Sequence, residues 1–132
     1  MTRVLVVHSD PSTAGGMADE LRRYGYDVET CGGPIRERCP IGEGLPCPFV
    51  DRADVLVYDA WVAGDSDGGR RLISELRETY PDLPVVLTSA DERLDWVEAE
   101  GPHRVIAFAS LPSSRLLVDA VDAALTEQGM AV

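Results

Sequence analysis

Short apolar runs rich in valine recur along the chain and alternate with stretches of helical period. The runs are "RVLVV" (3–7), "VLVY" (55–58), "PVVLT" (84–88) and "RVIAFA" (104–109), with "YDVET" (26–30) as a weaker member. Strand-length runs of this kind, separated by helical patterns, predict βα units and a parallel sheet covered on both faces. After the first run, Pro11 and Ser12 open a helix that sets Ala14, Met17, Ala18, Leu21 and Tyr24 on one face, and Gly25 closes it. Gly15 and Gly16 weaken its first turn. A further helix spans about 69–80, with Leu72, Ile73 and Leu76 inward and Pro81 as its stop. A short one spans about 91–100, and the last follows Pro112 with Leu117, Val121, Ala124 and Leu125 inward.

The second crossover breaks the rhythm. "CGGPIRERCPIGEGLPCP" (31–48) holds four Pro and four Gly, so a loop is expected where a helix belongs. No internal repeat or linker appears. The 132 residues read as one domain, 1–132, with one specialised insertion at 31–50.

Charge narrows the function classes. Twelve basic against 23 acidic residues give a net charge of −11, which repels nucleic acid and anionic lipid. All the basic residues are Arg, and the chain has no Lys. The apolar runs are too short to span a bilayer and no signal-peptide pattern opens the chain, so a cytoplasmic location is expected. Three cysteines in a reducing compartment argue against a disulfide scaffold.

Five βα units with an acid closing the third strand resemble the receiver domain of two-component response regulators. The motifs are "VVHSDPS" (6–12), "VYDAW" (57–61), "VLTSAD" (86–91) and "FASLPSS" (108–114), and "DAWVAGDSDGG" (59–69) matches the loop ending in Asp-Gly, one residue longer than usual. The resemblance covers nearly all of the chain outside 31–50. It implies an α/β, flavodoxin-like, doubly wound parallel sheet of five strands in order 2-1-3-4-5. It also implies Asp59 as the phosphoacceptor position, Thr88 as the hydroxyl position that senses the phosphoryl group, and Phe108 as the aromatic switch position. Three positions depart from the pattern: His8 and Ser9 replace the acidic pair that holds Mg²⁺, and Leu111 replaces the Lys.

Phosphoryl transfer to a carboxylate needs cations around the moving oxygens, and Mg²⁺ needs oxygen donors. The departures therefore predict a degenerate site without Mg²⁺ and without enzyme chemistry, unless Asp10 reaches in to restore a conventional phosphorelay. The expected function is a stand-alone signalling module that binds a protein partner or a second copy. Its surface would be the helix at 91–100, the fifth strand and the last helix, with Trp96, Phe108 and Leu116.

Cys31, Cys39 and Cys47 are evenly spaced, unlike the paired knuckle of common zinc sites. In the implied fold Cys31 and His8 end neighbouring strands, so the three Cys with His8 form a candidate set for Zn²⁺ or an Fe–S cluster near Asp59. Redox-active thiols and simple packing are the alternatives. A flavodoxin-type electron carrier is the remaining reading, on the Ser/Thr/Gly-rich helix start "SDPSTAGG" (9–16).

Overall fold

In the computed structural model, residues 2–32, 40–59, 74–89, 103–107 and 114–130 are described. Five strands, β1 (Arg3–Val7), β2 (Asp27–Cys31), β3 (Val55–Asp59), β4 (Val85–Ser89) and β5 (His103–Ala107), lie parallel in the order β2-β1-β3-β4-β5. Their helices are α1 (Pro11–Arg23), α2 (Pro48–Arg52), a segment over 74–79 designated α3, and α4 (Ser114–Met130). No described helix is long and apolar enough to cross a membrane.

Period-two alternation divides the core into two layers. Val4, Val6, Val55, Val57 and Val86 point to the side covered by α1 and α4, where they meet Met17, Leu21, Leu117 and Val121. Leu5, Val7, Leu56, Tyr58 and Leu87 point to the other side and meet Ile41, Cys47, Val50 and Leu76. Leu21, Leu56 and Leu117 are almost wholly buried, each contributing about 1.5–3 kcal/mol from the apolar surface it removes from water.

Helix α1 starts where Asp10 caps it and Pro11 occupies its first turn, a position whose missing N–H costs nothing. It ends at Gly25, whose φ of 95° is in the left-handed region that glycine accepts without strain. Ala14, Met17, Ala18 and Leu21 are buried as expected, but Tyr24 is 57% exposed. The helix stops one residue earlier, and as its C-cap Tyr24 no longer follows the buried stripe.

The second crossover holds more regular structure than its Pro and Gly content suggests. A 3₁₀ turn occupies Ile41–Glu43, and Pro48 begins the five-residue α2 instead of preventing it, for the same reason as Pro11. Strand β5 begins at His103, one residue before the run expected at 104–109, and α4 continues to Met130.

The short α2 covers β1 rather than the edge strand β2. On the face of β2 away from α1, the described residues form an ionic network. Arg52 grips Glu29 through Nε and a terminal nitrogen at 3.1 and 2.8 Å, with its guanidinium 5.0 Å from the Phe49 ring centre. Arg3 bonds Asp27 through Nε at 2.9 Å and reaches Glu29 at 3.7 Å. Hydrogen bonding from Arg52 holds the Glu29 carboxyl below the usual range.

Candidate functional site

The carboxyl edge of a parallel sheet collects strand ends, and ligands of open α/β sheets sit there. Asp59 closes β3 and pairs in register with Thr88 of β4. Both are buried, with 8% and 5% of their surface exposed. On the other side Val7 pairs with Tyr58, and one step further along that register His8 comes beside Asp59, with Nε2 3.8 Å from Oδ2. That separation is within ion-pair range and beyond a direct hydrogen bond.

His8 is fixed by two hydrogen bonds. Its backbone N–H donates to the Cys31 carbonyl at 3.0 Å, and its ring Nδ1 accepts the Asp10 N–H at 3.0 Å. Ser9 is half-buried between them.

Asp10 is occupied by the start of α1. Its Oδ1 accepts the Ser12 N–H at 3.1 Å, its Oδ2 accepts the Thr13 hydroxyl at 2.8 Å, and its carbonyl accepts the Ala14 N–H at 3.0 Å. The Thr13 hydroxyl and then the Ser12 N–H lower its pKa, as is usual for a carboxylate that caps a helix. Asp10, the residue whose reach would restore a conventional phosphorelay, is the N-cap of α1. The signal was legible in "DPST", where an acid precedes a Pro at the first helical position.

The cysteines behave differently from the candidate metal set. Cys47 is buried at 8% exposure in the layer of Leu5, Val7 and Leu56, and Cys31 packs against that same layer. Asp59, the last residue of β3, continues the alternation of Val55 and Val57, which belongs to the opposite face. Among the described residues no group of three or more His, Cys, Asp or Glu is placed to hold a metal ion. Cys39, Trp96, Phe108 and Leu111 lie outside the described residues. Leu116 is 47% exposed on α4.

A second polar cluster, missed in the sequence, joins α3 to the loop before α2. The Tyr80 hydroxyl donates to the Asp51 carboxylate and accepts the Cys47 N–H at 3.0 Å. Burial and then the Asp51 bond push the phenol up to about 12. Nearby, Arg77 donates to the carbonyls of Tyr80, at 3.5 Å, and Leu83, and burial brings its guanidinium down to about 10.

No protein-family profile matches the chain, and no curated protein matches it in sequence. Solved structures do. A CheY-like response regulator receiver domain protein from Methanospirillum hungatei superposes with a TM-score of 0.76 at 16% identity, covering 100% of this chain and 99% of that one. A receiver domain protein from Clostridium thermocellum gives 0.73 at 16% identity, over the full length of both chains. NtrX from Brucella abortus, in a complex with ATP, gives 0.75 at 20% identity; the match covers 98% of this chain and 28% of NtrX. The fold is that of a response regulator receiver domain.

Proposed function

We propose that this chain is a receiver-fold signalling domain that works by binding a protein partner, with an input other than phosphorylation of Asp59. The receiver fold supports the signalling role. What carries the rest is the pair of neighbours at the acceptor position: an imidazole 3.8 Å from Asp59 and an adjacent acid whose carboxylate oxygens both cap α1.

Receiver chemistry implies Mg²⁺, which takes hard oxygen donors in near-octahedral geometry. Beside Asp59 stands a nitrogen heterocycle instead, and Asp10 is committed elsewhere. These residues do not fit Mg²⁺. The chain also has no Lys to neutralise a phosphoryl group. Losing one preorganised charge-stabilising donor costs about 3 kcal/mol, near a hundredfold in rate, and here both the acidic pair that would hold the metal and the Lys are replaced. Leu116, exposed on α4, belongs to the partner surface in this reading.

Intact mass after incubation with Mg²⁺ and acetyl phosphate tests the proposal. The expected result is no phosphoryl adduct. A single adduct that Asp59→Asn abolishes would establish a conventional phosphorelay receiver and overturn the proposal.

A further inference from the structure

The ring of His8 carries more information than its distance from Asp59. Its Nδ1 accepts the Asp10 N–H at 3.0 Å, and a ring nitrogen that accepts has no proton. In the neutral imidazole the proton is therefore on Nε2, the nitrogen that faces Asp59 Oδ2 at 3.8 Å.

We infer that His8 takes the place of a divalent cation against Asp59, with its Nε2 proton as a fixed counter-group, and that the ring is closed to metals of every kind. A metal at Nε2 needs the lone pair on that atom, so the proton would have to move to Nδ1. There it would face the Asp10 N–H, donor against donor. The Asp10 N–H is poorly free to turn away, because the same residue caps α1 through its carbonyl and both carboxylate oxygens. The start of α1 and the tautomer of His8 are thus set together. Borderline metals that prefer imidazole to carboxylate are excluded from the ring by this arrangement, and Mg²⁺ by donor type.

The inference rests on reading the carboxyl edge as a degenerate acceptor, but its test is separate: an adduct on Asp59 would overturn the partner-binding proposal, whereas the state of the ring decides this one. Long-range ¹H–¹⁵N correlation spectra of the whole chain report the tautomer directly, with a His103→Gln variant to assign the two histidines. At a pH where the ring is neutral, the expected pattern for His8 is a protonated Nε2, unchanged by equimolar Zn²⁺ or Mg²⁺. A protonated Nδ1, or a Zn²⁺-induced shift of His8 Nε2, would overturn the inference. In a second arm, the double variant His8→Asp/Ser9→Asp should bind Mg²⁺ at least tenfold more tightly than the natural chain by calorimetry. A double variant that keeps the natural circular dichroism spectrum but shows no such gain would also overturn it.

Discussion

The phenol oxygen of Tyr80 accepts the backbone N–H of Cys47 at 3.0 Å, tying the residue after α3 to the N-cap of α2. Since α2 has only five residues and is too short to be stable alone, this contact and the Asp51 bond stabilise a helix that propensity would not.

Removing the hydroxyl tests that role. Tyr80→Phe deprives the Cys47 N–H and the Asp51 carboxylate of a partner and should lower stability by about 1–2 kcal/mol in urea unfolding at neutral pH. The pH dependence has a definite sign. The folded phenol titrates at about 12 and the unfolded one near its ordinary value of 10.0, so between those values the folded state keeps a proton that the unfolded state has lost. Stability from this group is full below pH about 10 and declines as pH rises toward 12. The gap between the natural chain and Tyr80→Phe should narrow across that window, and comparing the two cancels the titration of Arg77. A gap that stays constant would contradict the assignment.

Helix α1 contains a removable weakness. A Cβ built on Gly15 meets nothing within 4 Å, so alanine there adds helix propensity without a clash. Gly15→Ala should raise stability by about 0.5–1 kcal/mol, visible as an increase of a few degrees in melting temperature. A decrease would mean that the first turn of α1 requires glycine.

Arg22 guards the open edge of the sheet. Asp27 N–H and Cys31 C=O point toward β1, so Val28 C=O points outward, where an Arg22 nitrogen donates to it at 3.0 Å. Bare edge strands invite pairing with another chain. Arg22→Ala should self-associate more strongly than the natural chain in sedimentation experiments as concentration rises, and Arg22→Lys should lie between the two. Identical sedimentation of all three would remove the guarding role.

The sheet was legible because valine runs leave little choice. "RVLVV" became β1 residue for residue, and the other strands shifted by one or two positions. The helix stripes were legible for the same reason, with Leu21, Leu76, Leu117 and Val121 buried as the periodicity requires. What failed were readings that depend on a single residue's local partner. Tyr24 fits the stripe by number but sits at a cap. Of the cysteine set, Cys31 and Cys47 belong with the Leu56 layer, which their spacing alone does not reveal. The closeness of His8 to Asp59 follows from strand adjacency, yet the proton's position depends on a backbone turn that no spacing rule encodes.

Alternating side chains make the sheet a partition between two rooms that share a wall. A void opened at Leu56 is lined from the Leu76 side, whereas one opened at Val57 is lined from the Met17 side. Each compartment is therefore open to redesign on its own schedule, and damage in one reaches the other only by bending the wall itself.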